Sequence, residues 1–142
     1  MIVLDANLLI YSYNSGSSHH AKARAWLENT LSGIEVVGLP WQAVAAFLRV
    51  MTNPKLPAER FALEQAAQIV DLWLARPNVQ VLIPGTAYWP LFRRMVIEGR
   101  AAGPRVRDAE IAALTMEYGG VLYTADRDFA RFPGLRWKNP LS

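Results

Sequence analysis

Ile2-Val3-Leu4-Asp5 opens the chain, and Val121-Leu122-Tyr123-Thr124-Ala125-Asp126 stands near its end. Each stretch is a short apolar run that stops at polar residues, a pattern typical of a buried strand in a parallel sheet. Ligands of such sheets bind at the carboxyl ends of the strands, and both acids stand at those ends. The two stretches therefore predict two strands that deliver carboxylates to one edge of a sheet.

Further strand-like and helix-like stretches alternate along the rest of the chain. Apolar runs predict strands at 34–39 and 79–83, and a short additional strand at 135–137. Helical spacing predicts helices at 17–31, 40–53, 57–76, 86–97 and 107–118. Strands that alternate with helices form a parallel sheet with helices on both faces. We therefore expect an α/β sandwich with a mostly parallel central sheet of four to five strands.

Composition limits the class of protein. The chain has 142 residues and no cysteine, which predicts one domain (1–142) and excludes a disulfide scaffold or a thiolate metal site. Hydrophobic residues make up 52% and charged residues 19%, too apolar a balance for a disordered chain. The N-terminus has no basic segment of the kind that opens a signal peptide, and no apolar run approaches the roughly 18 residues of a membrane span. We expect a cytoplasmic globular protein.

The positive charge is carried mainly by arginine. The net charge is +3, and 12 of the 15 basic residues are Arg. Arg105 and Arg107, next to Asp108, end an arginine-rich segment that begins at Arg93. Because arginine binds phosphate through a planar fork, we predict that Arg105 and Arg107 contact the phosphate backbone of a nucleic acid. A solvated helix face, or a surface for an acidic partner, is the alternative.

Three separate parts of the chain place acids at the predicted edge. Asp5 follows the first strand, and Asp126 and Asp128 follow the strand near the C-terminus. Asp108 lies at the start of the helix that leads back into that strand. Because a helix that runs antiparallel to the strands begins at their carboxyl edge, we expect Asp108 at the same edge as Asp5 and Asp126. Clustered carboxylates repel one another unless a cation lies between them, and hard oxygen ligands favour Mg²⁺ or Mn²⁺. Such an ion activates water and neutralises charge on a phosphodiester, which predicts metal-assisted hydrolysis.

Each acid also has a purely structural interpretation. Asp5 and Asp108 could cap helices, a role that Asp performs well, and Asp126 could hold a turn. Taken singly, the acids favour these structural roles. Their convergence on one edge favours the metal site.

The residues around these acids resemble a known family. Val3-Leu4-Asp5-Ala6-Asn7, Arg107-Asp108-Ala109-Glu110-Ile111-Ala112-Ala113 and 121–129 resemble a PIN-domain ribonuclease of the VapC toxin type. The resemblance covers essentially the whole chain and implies a PIN-like three-layer α/β/α sandwich. It also implies an Mg²⁺- or Mn²⁺-dependent endoribonuclease of a type II toxin–antitoxin system, often a homodimer, that a VapB antitoxin neutralises.

The resemblance assigns roles by position. Asp5, Asp108 and Asp126 match the catalytic, metal-binding acids, and Asn7 and Thr124 match polar positions that support the site. Asp128 matches a more peripheral, assisting position.

The chain departs from the family pattern at one position. The family usually has a Glu where this chain has Ala46, directly before Phe47-Leu48-Arg49. The helix predicted there contains no acid, which leaves open how tightly metal is held and how many ions bind. Glu110, on the helix that carries Asp108, is a candidate partial substitute.

Other functional classes fit the sequence less well. A dinucleotide site needs a glycine-rich turn after the first strand, and Asp5-Ala6-Asn7-Leu8 contains none. The alternative that remains is a PIN-like module that binds RNA or a protein without cutting, which Ala46 favours.

His19 and His20 are expected to lie solvated at a helix start. Most Trp residues are expected in the core, with Trp41 and Trp89 as candidates for base stacking.

Overall fold

The computed structural model describes residues 1–56 and 60–142 of the chain. Its strands are β1 (Ile2–Leu4), β2 (Val37–Pro40), β3 (Val79–Leu82), β4 (Val121–Tyr123) and β5 (Trp137–Lys138). Its α-helices are α1 (Ala6–Tyr13), α2 (His20–Leu31), α3 (Trp41–Met51), α4 (Leu63–Leu74), α5 (Tyr88–Glu98) and α6 (Arg105–Glu117), and a 3₁₀ helix covers Arg127–Arg131. The predicted alternation of strands and helices is confirmed.

The strands form one sheet in the order β3-β2-β1-β4-β5, and all four pairings are parallel. The chain winds outward from β1 through β2 to β3, then crosses to β4 on the other side of β1. The direction of winding therefore reverses between β1 and β4. In open α/β sheets, the carboxyl edge at such a reversal is the usual place for a ligand.

The sheet separates two hydrophobic cores, which gives three layers. Helices α1 to α4 pack on one face, around fully buried side chains such as Leu9 and Phe47. Helices α5 and α6 pack on the other face, around Met95, Leu114 and Phe129. Along β1, Ile2 and Leu4 enter the first core and Val3 the second, as the two-residue period of a strand requires. The predicted α/β/α sandwich is confirmed.

Several predicted boundaries were wrong by a few residues. The strand predicted from residue 34 begins at Val37, and Ile34 is fully exposed (100%). Pro40, predicted as the first residue of a helix, is instead the last residue of β2 and directly precedes α3. The helix predicted from Pro57 begins at Leu63 within the described residues, and Pro57 itself lies outside them. These boundaries depend on strand pairing, which local apolar patterns do not record.

The remaining boundary differences are of the same size. The helices predicted from residues 17 and 86 begin at His20 and Tyr88, and the one predicted from residue 107 begins earlier, at Arg105. The fifth strand lies at Trp137–Lys138. None of the described helices is long and apolar enough to cross a membrane.

The tryptophans divide as expected. Trp73 lies in the first core against Phe47, and Trp26 stacks on Tyr123. Trp41 and Trp89 are exposed, at 50% and 62% respectively. Both therefore remain available to a partner or to a nucleic acid base.

Candidate active site

Asp5 lies at the point where the winding of the sheet reverses. It follows β1 directly, is only 8% exposed, and its Oδ1 accepts a hydrogen bond of 2.7 Å from the amide of Ala6 at the start of α1. Its Oδ2 accepts hydrogen bonds from the Thr124 hydroxyl (2.7 Å) and the Asn7 side-chain amide (3.2 Å). The same carboxylate therefore caps a helix and faces the end of β4.

Thr124 and Asn7 join the two strand ends into one network. The buried Thr124 hydroxyl donates to Asp5 and accepts from the Asn7 side chain (3.1 Å) and from the amide of Asp126 (3.0 Å). A hydroxyl has one donor and two acceptor positions, so its capacity is fully used. The Asn7 side-chain oxygen accepts from the amide of Ala125 at 3.3 Å. These bonds fix Asp5 and Asp126 relative to each other, and they involve Asn7 and Thr124, the two residues predicted to support the site.

Asp108 and Asp126 complete the group of predicted acids, which we call the acidic cluster (Asp5, Asp108, Asp126). Asp108 lies in the first turn of α6, and Asp126 caps the 3₁₀ helix by accepting from the amide of Asp128 at 2.9 Å. Asp126 therefore has the turn-holding role that its sequence context suggests, whereas Asp108 lies inside α6 and does not cap it. The structure thus brings together acids from three elements at the carboxyl edge of β1 and β4.

The pKa values of Asp5 and Asp108 are both raised. Burial raises the pKa of Asp5 from 3.8 to about 6, and the charges of Asp108 and Asp126 add to this against hydrogen bonds that lower it. Burial also raises the pKa of Asp108, and the charge of Asp126 contributes. Neighbouring negative charges thus disfavour the ionised forms of Asp5 and Asp108, which provides the electrostatic reason for a cation at this edge.

Arg105 supplies a positive charge to the cluster. Its Nη1 lies 3.1 Å from Asp108 Oδ2 and 3.6 Å from Asp126 Oδ2, and its Nη2 pairs with Asp128. The arginine predicted to contact RNA is thus turned inward, and Asp128 is joined to the cluster through it. These interactions raise the pKa of Arg105 above its usual value, with the hydrogen bond to Asp108 as the largest cause.

The donors of the cluster suit a divalent ion, although they do not form a ready-made cage. In the described part of the chain, no three His, Cys, Asp or Glu side chains are grouped tightly enough to hold a metal ion as they stand. Two of the acids instead flank the guanidinium of Arg105, which is larger than a metal ion. The site already accommodates a cation among hard oxygen donors, the donor type that Mg²⁺ and Mn²⁺ prefer.

A cleft of about 400 Å³ opens beside the cluster between α3 and α6. We call it the α3–α6 cleft; its lining includes Gln42, Ala46 and Arg49 on α3, Arg107, Asp108 and Glu110 on α6, and Asp5. Glu110 Oε2 accepts a hydrogen bond of 3.3 Å from the Gln42 side chain. The structure therefore brings Glu110 and Ala46 to the same cleft as the acids, and it separates Arg107, which lines the cleft, from Arg105.

Some residues discussed from the sequence lie outside this site, and two residues of the site were missed. His20 Nδ1 lies 2.9 Å from the carbonyl oxygen of Tyr11, and the His19 ring packs on Tyr11, so both have structural roles. Gln42 and Arg49 were not predicted as site residues. They are seven residues apart on α3, a spacing that places them on one helix face with Ala45 and Ala46, and this is the signal that could have found them.

Comparison with known proteins agrees with this architecture. The family model for the PIN domain matches residues 2–135. Ribonuclease VapC43 of Mycobacterium tuberculosis is 38% identical over 141 residues, which cover 99% of this chain and 96% of the relative. Ribonuclease VapC33 of the same organism is 33% identical, with 99% of each chain covered.

Solved structures share the fold at lower identity. VapBC2 from Rickettsia felis, bound to a DNA fragment from its promoter, has a TM-score of 0.72 at 19% identity and covers 98% of each chain. M. tuberculosis VapC20, described as a toxin that cleaves the sarcin-ricin loop, has a TM-score of 0.66 at 19% identity, covering 96% of this chain and 99% of that one. By its family match and its full-length relatives, the chain belongs to the PIN-domain family and, within it, to the VapC ribonucleases.

Proposed function

We propose that the chain is a metal-dependent endoribonuclease and the toxin of a type II toxin–antitoxin pair. The observation that carries this proposal is the convergence of Asp5, Asp108 and Asp126, from three elements, on the edge where the winding of the sheet reverses. The full-length relatives named as ribonucleases support the reaction class. Its substrate is RNA, which places its action in the cytoplasm.

Asp5, Asp108 and Asp126 are the groups that would hold Mg²⁺ or Mn²⁺ and carry catalysis. Such an ion, when bound, supplies a water molecule activated for attack and neutralises charge on the phosphodiester. Thr124 and Asn7 position the Asp5 carboxylate, since they donate to its Oδ2. Asp128, which pairs with Arg105, and Glu110, which lines the cleft beside Asp5 and Asp108, assist the three acids in holding the ion. Arg107, in the cleft, contacts RNA. Arg105 would be free to contact RNA only where its guanidinium is released from Asp108, Asp126 and Asp128.

The partners follow from the same family. We propose that a VapB-type antitoxin neutralises this chain and that the chain, as a single domain, forms a homodimer. Several solved relatives are VapBC complexes, including one from nontypeable Haemophilus influenzae.

The second candidate function is a PIN-like module that binds RNA or protein without cutting it. Two observations favour it: Ala46 occupies the position where the family usually has a Glu, and Arg105 occupies the space between Asp108 and Asp126. The two functions differ in whether a purified sample cuts RNA when metal is supplied.

Cleavage of a structured RNA by the purified protein tests the proposal. We expect cleavage with Mg²⁺ or Mn²⁺ and none with EDTA. Asp5→Asn should reduce the rate by about two orders of magnitude or more, because it removes a ligand charge and keeps the side-chain shape. Asp71→Asn is the matched control, since Asp71 is an exposed acid on α4 and outside the cluster.

Each outcome assigns one function. If the Asp5→Asn variant cleaves as fast as the parent, Asp5 is not part of the catalytic site. Binding of RNA by the parent without cleavage in either metal would instead establish the non-cutting module.

A further inference from the structure

The α3–α6 cleft extends from the acidic cluster into a region with a different charge. At one end, Asp5 and Asp108 belong to both the cluster and the cleft. Arg49 and Arg107 line the same cleft from the two helices. Arg49 also borders a neighbouring depression that reaches Lys55, which follows the C-terminal end of α3.

The two arginines are exposed and have no carboxylate partner within residues 1–56 and 60–142. Arg105, by contrast, pairs with three acids. Glu110, the other acid of the cleft, accepts a hydrogen bond from Gln42. Unpaired guanidinium groups on opposite walls of a cleft are suited to a phosphate, which each can grip through two parallel hydrogen bonds.

Small side chains leave the space between these arginines open. Ala45 and Ala46 form the α3 wall, and Ile111 contributes apolar surface from α6. The volume of about 400 Å³ falls within the range of about 300–1,000 Å³ that is common for small-ligand sites. A cleft with apolar walls and cationic groups at its border matches a nucleotide, which has a flat base and a charged phosphate.

We infer that the α3–α6 cleft is a subsite for the nucleotide next to the scissile phosphate of a single-stranded RNA. Arg49 and Arg107 bind the phosphate of that nucleotide, and its base lies against Ala45 and Ala46. This inference builds on the proposed ribonuclease function, because a strand cut at the acidic cluster must continue beyond it. The cleft opens directly from Asp5 and Asp108, so it is the space into which a neighbouring nucleotide extends.

Binding of a fluorescein-labelled single-stranded RNA 12-mer, measured by fluorescence anisotropy in EDTA so that no strand is cut, tests the subsite. The double variant Arg49→Gln/Arg107→Gln should bind roughly tenfold or more weakly than the parent. Its slope of log affinity against log salt should be smaller by about 0.7, because the two arginines bind one phosphate and each single-stranded phosphate contact contributes about 0.7. The double variant Arg76→Gln/Arg93→Gln removes the same charge from exposed arginines outside the cleft and should lose much less affinity.

A second variant tests the space rather than the charge. Ala45 is exposed on α3, so Ala45→Phe fills the cleft without burying a new side chain in the core. We expect RNA affinity to fall while the thermal unfolding temperature is unchanged. Retained affinity in this variant would show that the base does not lie against this wall.

The outcomes separate this inference from the proposed function. If the parent cleaves RNA with Mn²⁺ but binds the 12-mer no better than the Arg49→Gln/Arg107→Gln variant, the subsite is wrong and the ribonuclease function stands. If that variant instead loses affinity only for a glutamate 12-mer peptide, the cleft belongs to an acidic protein segment and the inference also fails. A parent that neither binds nor cleaves RNA overturns both.

Discussion

The Asp5 side chain has two roles that the sequence presents as alternatives. One oxygen accepts from the amide of Ala6 and caps α1, while the other faces Thr124 and Asn7. Helix capping therefore fixes the carboxylate in place, and the fixed carboxylate is what a metal site requires. For an acid directly after a strand, the structural and the functional interpretation are compatible.

Arg105 differs from Arg107 although the two residues stand on the same turn of α6. The guanidinium of Arg105 is paired within the acidic cluster and that of Arg107 lines the cleft. The sequence predicted one role for both because it places them next to the same acid. Which of the two side chains points toward the acidic cluster depends on the rotation of α6 about its own axis relative to β4. Tertiary packing sets this rotation.

At the scale of this residue, we predict that Arg105→Gln tightens Mn²⁺ binding. The guanidinium competes with the ion for Asp108 and Asp126, and removing it leaves those carboxylates unpaired. Because these groups are partly exposed, the gain should be modest, roughly threefold to tenfold. Titration calorimetry in metal-depleted buffer measures it, with Arg76→Gln as the control for a lost surface charge. Unchanged or weaker binding would mean that Arg105 does not compete with the ion.

At the scale of elements, the order of strands and helices could be predicted from the sequence, and so could the acids at their ends. Apolar runs identified β1 and β4 because β1 is fully buried, β4 is partly buried, and both are followed at once by polar residues. The start of β2 could not be placed, since Val37 begins the strand by pairing with β1 and β3 and Ile34 looks equally apolar. The cleft face of α3 was missed because alanines carry no chemical signal of their own.

For helix α3, we predict that Ala46→Glu tightens Mg²⁺ or Mn²⁺ binding. Ala46 lines the cleft together with Asp5 and Asp108, and the open volume there leaves room for a longer side chain. A carboxylate at this position adds a hard oxygen ligand where the family usually has one. Calorimetric titration on folded protein checks this, and Ala46→Gln is the matched control of the same length without the charge.

The same substitution should affect RNA differently. Because Glu narrows the cleft and adds negative charge, the affinity for the RNA 12-mer in EDTA should fall. If Ala46→Glu and Ala46→Gln bind metal equally, the added carboxylate does not reach the ion.

At the scale of the whole molecule, the sheet brings the acids close together and buries Asp5, and this lowers the free energy of unfolding when Asp5 is ionised. Asp5, following β1, is brought against the end of β4 by the direct pairing of these two strands, which are far apart along the chain. Its pKa is then about 6 instead of 3.8, so its folded form binds a proton more readily than its unfolded form. The stability from this proton is fully present below about pH 4 and is lost as the pH rises through about 6.

We therefore predict that, without metal, Asp5→Asn changes the pH dependence of unfolding. The shift of the Asp5 pKa corresponds to about 3 kcal/mol of stability in total, of which the parent loses about 2–3 kcal/mol between pH 4 and pH 8. An asparagine side chain does not titrate in this range, so the variant loses none of it. Hydrogen bonds lost by the amide affect both pH values, so the test is the difference in unfolding free energy, variant minus parent, measured by urea denaturation with EDTA. This difference should rise by about 2–3 kcal/mol in favour of the variant from pH 4 to pH 8, whereas Asp71→Asn should give no such rise. If the difference for Asp5→Asn does not change with pH, Asp5 ionises at its ordinary pKa. Burial at the carboxyl edge then gives no electrostatic reason for a bound cation.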